Sequence, residues 1–398
     1  MKRWNVAEML EIGKKLFAKM HKQKYHAHHN NELHFMAREI DDWLPTGIHQ
    51  LCNGAYSPRP LRRYFFPDET VDQVHPTDRI FQHILLQLLK PTFKHVMNAN
   101  CYHLYGPTGV KYATQRIRQV LEEKNPEYVI RVDIKSFYKS IPHFKLIQDI
   151  KKYYNDPKLL TMLEEIIINP IDTPHGYKNP VHGIALRGPL SQFFSGIYLK
   201  PLDDAFNEMD VDYFRFQDDA LILCRTKRQM NRCRRRMMEV LRERRLTLSR
   251  KKSRIGLTKD GFHYLGVSYS PTQPVSNTNV VYANDVYYLS KTGGGVAATS
   301  EQEKHVLCIT PHARTLRKAR IQVQQMVTIG FSTKHIRRYL DQFIRWWAKT
   351  IDSWTYQKLV IWFVEACWDI QPSAHAVAFL QRHFIKLETI LLCVNTAA

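Results

Sequence analysis

Polar and apolar positions along this chain change rhythm several times, and each rhythm predicts an element. Residues 6–20 carry Met9, Leu10, Leu16, Phe17 and Met20 largely on one side of a helical wheel, so an amphipathic helix opens the chain. At Tyr128-Val129-Ile130-Arg131-Val132 the pattern becomes β-rich; it ends in Asp133, and Ile141-Pro142-His143 leads into a further helix. Phe214-Arg215-Phe216 and Ala220-Leu221-Ile222-Leu223 flank Gln217-Asp218-Asp219, which predicts a β-hairpin with two adjacent acids at its tip. Met230, Cys233, Met237, Val240 and Leu241 recur at helical spacing within residues 225–254, the most basic stretch. That helix would lay its apolar face on a sheet. Its arginine face would bind nucleic acid or a partner, or simply be solvated.

The later part of the chain reads as helices after a break. Polar residues and Gly293-Gly294-Gly295 predict a loop or linker over 271–304. Helical patterns follow over 316–327, 336–347, 354–367 and 374–392. In the second of these, Ile336, Tyr339, Leu340, Phe343, Ile344 and Trp347 form an apolar stripe beside Lys334, Arg337, Arg338 and Arg345.

Composition narrows the class of protein. With 398 residues, 44% of them hydrophobic, the chain can bury a core in two or three subdomains. Its formal net charge of +21 predicts strong, salt-dependent attraction to phosphate. Seven cysteines, an odd number without a Cys-x-x-Cys pair, argue against a disulfide framework or a zinc ribbon. No apolar run approaches the ~18 residues of a membrane span, and no secretory signal opens the chain, so a cytoplasmic protein is expected. His21, His26, His28, His29 and His34 form a patch open to metal, to RNA contact or to solvation.

Candidate chemistry begins with the acids. Neighbouring carboxylates repel, and a divalent cation is their common counter-charge. Asp133, at a strand end, could meet Asp218 if their strands are sheet neighbours, or could merely cap the following helix.

Together these segments resemble the reverse-transcriptase family in its bacterial non-retroviral branch. Asp133 matches the first catalytic carboxylate of that family, and Phe216-Gln217-Asp218-Asp219 its aromatic-X-Asp-Asp signature. The segment Gly188-Pro189-Leu190-Ser191-Gln192-Phe193-Phe194 resembles the turn and helix under the template and incoming nucleotide. Lys252-Ser253 resembles the lysine motif, Gly261-Phe262-His263-Tyr264-Leu265-Gly266 the primer grip, and Asp78-Arg79-Ile80-Phe81-Gln82 the fingers. The resemblance runs from about Arg59 to Tyr269, in the family's order.

That resemblance implies an α+β right-hand polymerase. It divides into an N-terminal helical extension (1–49), fingers (50–125), a palm (126–270), the loop, and a helical thumb or C-terminal bundle (305–398). It implies an RNA-directed DNA polymerase using two Mg²⁺ ions, held by Asp133, Asp218 and the more peripheral Asp219, with Ile134 among the metal-holding positions. Lys252 would approach the triphosphate, unless it is one more solvated lysine. Tyr138 would select the sugar, or serve as a core ring under the palm. Arg59, Arg62 and Arg63 are candidates for gripping triphosphate or template, and Gly188 with Arg187 for holding the nucleotide or template. The usual Gln before that Gly is missing, so Arg187 would stack on a base, hydrogen-bond to it, or bind phosphate. The implied partners are an RNA template, dedicated non-coding RNA included, dNTPs and the DNA product. The C-terminal helices would serve as a thumb, or join a second copy or a partner protein. Antiphage defence is the expected role, with a mutagenic retroelement enzyme or an inactive RNA-binding scaffold as alternatives.

Overall fold

The computed structural model describes residues 5–66, 70–186, 188–272, 280–283, 286–289 and 306–348. Helices α1 (Val6–Gln23), α2 (Glu32–Arg38) and α3 (Ile40–Asn53) come first. Strands β1 (Leu61–Phe65) and β2 (Thr70–Gln73) follow, then α4 (Pro76–Val96), a 3-10 segment (Tyr102–Thr108) and α5 (Gly109–Lys124). Next come β3 (Tyr128–Asp133), α6 (Phe137–Ser140), α7 (His143–Lys151), α8 (Pro157–Ile167), β4 (Ile171–Thr173) and β5 (Gly176–Lys178). Helix α9 (Ser191–Asn207), β6 (Asp212–Phe216), β7 (Asp219–Cys224) and α10 (Lys227–Glu243) complete the central part. Then come β8 (Arg254–Leu257), β9 (Phe262–Tyr264), β10 (Val267–Thr272), β11 (Val280–Ala283), β12 (Val286–Leu289), β13 (Val306–Pro311), α11 (Ala313–Thr328) and α12 (Thr333–Ala348).

The chain divides into two compact units: described residues of 1–109, 130–223 and 227–254 in the first, and of 110–129, 224–226 and 255–398 in the second. In the first unit, β6 and β7 form an antiparallel hairpin beside β3. Tyr213, Phe214, Ala220, Leu221 and Ile222 are all buried, so both faces of this sheet are covered. Strands covered on both faces read as continuous apolar runs, as these do. Helix α9 is buried nearly all round, through Phe193, Phe194, Ile197, Tyr198, Leu199, Leu202 and Phe206. Helix α10 turns in only one stripe, Cys233, Met237, Val240 and Leu241. A smaller sheet, in the order β2-β1-β4-β5, sits on a core of Leu61, Val74 and Ile171. Helices α1, α3 and α4 pack closely because Gly13 and Gly47 carry no side chain. A Cβ at Gly47 would lie 2.0 Å from the Phe81 ring, so even alanine there must push the helices apart.

The second unit holds the antiparallel sheet β13-β10-β9 and helix α11, which buries Leu316, Ala319, Val323 and Met326. The side chain of His312 caps α11 by accepting from the Arg314 N–H, and the Thr315 hydroxyl donates to the Gly266 carbonyl at 3.0 Å. The two helices expected at 316–327 and 336–347 are α11 and α12, each a little longer than the pattern alone indicated. The expected helices at 354–367 and 374–392 lie outside the described residues. One expectation is corrected. The stretch read as a loop contains the end of β10 and the antiparallel pair β11 and β12. Val280-Val281-Tyr282 and Val286-Tyr287-Tyr288 are β-branched and aromatic around Asn284-Asp285, a short-range hairpin pattern that the polar flanks and glycines obscured.

Candidate active site

Strand β3 delivers Asp133 to its last position, and the backbone on either side fastens it there. Its carbonyl accepts from the Ser249 N–H at 2.8 Å, its N–H donates to Ser253 Oγ at 3.3 Å, and the Lys135 N–H donates to the Thr247 carbonyl at 2.8 Å. On the other side, buried Ile134 donates its N–H to the Asp218 carbonyl at 3.3 Å. The strand end and the hairpin turn are thereby neighbours. The register pairs Phe216 with Asp219, so the turn is Gln217-Asp218 and Asp219 is the first residue of the return strand rather than part of the tip. A two-residue turn needs positive φ, which glycine usually supplies. Here Gln217 adopts φ 56°, at a cost of roughly 1–2 kcal/mol.

The three carboxylates feel one another. Asp218 is pushed above its ordinary range by burial first, then by Asp133, while Lys252 and Arg215 oppose the shift. Asp219 is pushed up to about 6 by burial and by the charges of Asp218 and Asp133, against Arg131 and Lys252. Lys252 lies 3.1 Å from Asp133 Oδ2, with its side chain 58% exposed. An exposed ammonium can leave that position; a buried one could not do so cheaply.

Beneath the turn lies a cluster that the sequence reading missed. Arg215, in the middle of β6, is 1% exposed, and Asp203, on α9, is 0% exposed. They meet through two bonds, at 2.6 Å and 2.5 Å, and the Tyr213 hydroxyl donates to the same carboxylate at 2.8 Å. The Cys101 thiol donates to Asp203 at 3.0 Å and accepts from Arg215 at 2.8 Å. Arg215 also donates to the Gln217 carbonyl at 3.0 Å, while the Gln217 N–H donates to His103 Nδ1 at 3.1 Å. Burial and Arg215 hold His103 well below the usual histidine range, consistent with a neutral acceptor. Both backbone groups of the strained turn residue are thus gripped from below. The signal was legible in principle: an arginine inside an apolar strand and an aspartate inside an apolar helix each require a buried partner.

Tyr138 lies on the short helix after Asp133, where its hydroxyl meets that of Ser195 from α9. Burial and the nearby charge of Asp218 push it up to about 12. Tyr138 is therefore gathered with the carboxylates. Gly188 opens the turn before α9: Ser191 donates its N–H to the Gly188 carbonyl and its hydroxyl to that of Ala185. A Cβ at Gly188 would sit 2.9 Å from Ser191 Oγ and disturb that turn. Arg187 lies outside the described residues. Arg63 forms a two-bond pair with Asp72, its partner across the β1–β2 hairpin, at 2.7 and 2.9 Å. Arg62 reaches Glu32 at 3.2 Å, and Arg59 contacts His75. Arg63 thus pairs within the β1–β2 hairpin, and Arg62 ties that hairpin to α2. In the histidine patch, His21 and His34 touch at 3.1 Å. The cysteines at 52, 101, 224 and 233 carry thiols rather than disulfides.

The model of the reverse transcriptase (RNA-dependent DNA polymerase) family matches residues 71–269, half of the chain, a range that contains Asp133, Tyr138, Gly188, Asp218, Asp219 and Lys252 but not Arg59, Arg62 or Arg63. The chain belongs to that family. This reverse transcriptase is 23% identical over 262 residues to Protein YkfC of Escherichia coli, covering 54% of this chain and 68% of that one. The bacterial relative agrees with the non-retroviral branch expected above. Among solved structures, apo telomerase from Candida tropicalis overlaps with a TM-score of 0.42 and 10% identity, over 53% of this chain and 47% of that one. A partial Cas6-RT-Cas1–Cas2 complex overlaps with a TM-score of 0.36 and 20% identity, over 60% of this chain and 41% of that one. The reverse transcriptase thus spans about two thirds of the bacterial relative's length and under half of these solved chains. Its α+β architecture is that of a right-hand polymerase, and no described helix is long and apolar enough to cross a membrane.

Members of this family generally use divalent metal. Among the described residues, no three His, Cys, Asp or Glu side chains are drawn together as a finished metal cage. The donor chemistry nonetheless fits a hard cation. Asp133, Asp218 and Asp219 offer only oxygen, and Asp218 and Asp219 are raised by burial and then by neighbouring carboxylate charge. The ammonium of Lys252 supplies positive charge at Asp133.

Proposed function

We propose that this reverse transcriptase copies an RNA template into DNA by two-metal nucleotidyl transfer. The observation that carries the reading is the gathering of Asp133, Asp218 and Asp219 at one sheet end, where burial and neighbouring carboxylate charge raise Asp218 and Asp219. Asp133 and Asp218 would hold two Mg²⁺ ions, with Ile134 beside them and Asp219 adding negative charge at the edge. When bound, the ions stabilise charge on the attacking 3′-hydroxyl and the leaving pyrophosphate. The chain's own groups do the rest. Lys252 would transfer its ammonium from Asp133 to the triphosphate and donate a proton to pyrophosphate. The Tyr138 ring, fixed through Ser195, would lie under the sugar and collide with a 2′-hydroxyl, so deoxynucleotides are favoured. Gly188 shapes the turn that supports the incoming nucleotide.

The test is extension of a primed RNA template with dNTPs and Mg²⁺. The reading predicts a DNA product that vanishes in the Asp218→Ala, Asp219→Ala double variant. Extension that survives in that variant, or its absence in the natural protein, overturns the assignment. The biological role we propose is antiphage defence, supported by the absent Gln before Gly188 and by the helical patterns beyond residue 313. Sequencing the DNA made in cells, together with the RNA that co-purifies, tests it.

A further inference from the structure

The positive charge of this chain is concentrated in one place that the polymerase reading leaves almost unused. Residues 225–254 contain fourteen Lys and Arg against two acids, Glu239 and Glu243, and so supply +12 of the formal +21. Lys252 sits at the carboxylates, and Arg244 is buried against Asp149. The others have a different organisation. Because α10 turns Cys233, Met237, Val240 and Leu241 inward, Arg228, Arg235 and Arg242, each seven residues apart, fall on the opposite side. All three are exposed, and at 1.5 Å per residue they make a straight ridge about 21 Å long.

The ridge ends at a strained arginine. The chain leaves α10 through Arg245, whose φ of 56° is the left-handed conformation that glycine normally provides after a helix. The Arg245 N–H donates to the Arg242 carbonyl at 3.0 Å, and the Leu246 N–H to that of Leu241 at 2.8 Å. An arginine in this position costs about 1 kcal/mol or more. Its guanidinium then lies 5.2 Å from the ring centroid of Phe144, which is 47% exposed. Lys145 lies 6.0 Å from the same ring and donates to the Glu243 carbonyl at 2.7 Å. Two cations lie near one exposed aromatic ring at the end of a line of arginines.

We infer that this face is a second RNA-binding surface: a helical stem lies along Arg228, Arg235 and Arg242, and an unpaired nucleotide stacks on Phe144 between Lys145 and Arg245. Evenly spaced guanidiniums in a straight line suit the regular phosphates of a stem, which proteins read by shape and backbone. An exposed aromatic beside cations suits an unstacked base. The surface has little of what an acidic protein partner or a membrane would need, since Phe144 and Met238 are its exposed large apolar residues. The inference does not depend on the polymerase reading, because it concerns binding and not extension.

The test uses the full chain and three RNA probes: a stem-loop with a single-nucleotide bulge, the same stem fully paired, and a short pre-annealed primer–template. The Arg228→Gln, Arg235→Gln, Arg242→Gln variant is expected to bind the bulged stem at least about tenfold more weakly near physiological salt. The slope of log affinity against log salt should flatten by about two to three. Lysine at the same three positions should restore most of the affinity, and Phe144→Leu should abolish the preference for the bulged stem. Extension of the short primer–template should remain as in the natural chain. Unchanged affinity and slope in the glutamine variant overturn the inference. An equal loss on the short primer–template also overturns it, since the face would then belong to the copying cleft. A matching loss for acidic vesicles or polyglutamate overturns it as well, by showing unspecific charge. A chain that binds the bulged stem through this face yet extends nothing would sink the polymerase reading alone.

Discussion

Two carboxylate clusters lie in the first unit, and they are balanced in opposite ways. Asp203 is fully buried and fully answered: Arg215, Tyr213 and Cys101 all bond to it. Asp133, Asp218 and Asp219 are three acids relieved by Lys252, Arg131 and Arg215, and burial together with the charges of Asp218 and Asp133 pushes Asp219 up to about 6. A closed cluster holds structure together, whereas an open one stores repulsion that a bound cation can remove. Stability and activity should therefore separate between the two. Replacing Asp218 with Asn removes a repelling charge, so the fold should keep or gain melting temperature. Primer extension should nevertheless fall by about 10³-fold or more, as for an essential catalytic group. A variant that melts early and still extends would reverse the assignment of the two clusters.

The closed cluster gives the next largest effect. Arg215→Met leaves the Asp203 carboxylate buried without its cation, and breaking such a pair costs about 3–5 kcal/mol. Urea unfolding should show that loss, and Asp203→Asn should show a similar one. If the double variant Asp203→Leu, Arg215→Met recovers much of it, the pair acts as a matched unit, because both charges are then gone.

This contrast also shows where the sequence was legible. Asp133 and the Gln217-Asp218 turn with Asp219 after it could be placed because each interrupts a short apolar run at a strand end, a local pattern. The Asp203–Arg215 pair joins residues from a helix and a strand, so nothing local marks it except the oddity of a charge in an apolar setting. The same reasoning applies to strand β1. Arg62 and Arg63 read as candidates for gripping triphosphate or template, and their ion pairs with Glu32 and Asp72 form only on folding. Hairpin β11–β12 was hidden for another reason: polar flanks and a glycine run outweighed two short β-branched segments.

The open cluster should also respond to pH through its cation. The folded Asp219 releases its proton near 6, above the ordinary value of 3.8, so folding is opposed by this group at neutral pH. That opposition fades as pH falls below about 6, where the folded chain already holds the proton. A cation competes with that proton. Millimolar Mg²⁺ should therefore raise the melting temperature near pH 7.5 and have little effect near pH 5. An equal rise at both pH values would place the bound ion elsewhere. The Asp218→Asn variant should lose most of the rise.

The smallest effect tests whether the closed cluster braces the open one. Gln217 stands at φ 56° in a two-residue turn, and its carbonyl and N–H are gripped by Arg215 and His103. Glycine accepts that conformation without strain, so Gln217→Gly should change stability by about 1 kcal/mol or less, the relief of strain offsetting greater freedom in the unfolded chain. With the brace intact, extension should fall by less than about tenfold, because the hydrogen bonds at residue 217 come from its backbone. In the Arg215→Met background the turn has lost one of its two grips, and glycine there should cost activity more steeply than in the natural chain. Equal fold-losses in the two backgrounds would mean that the turn holds its shape unaided. Arg215 would then matter to stability alone, and the two clusters would be neighbours without being coupled.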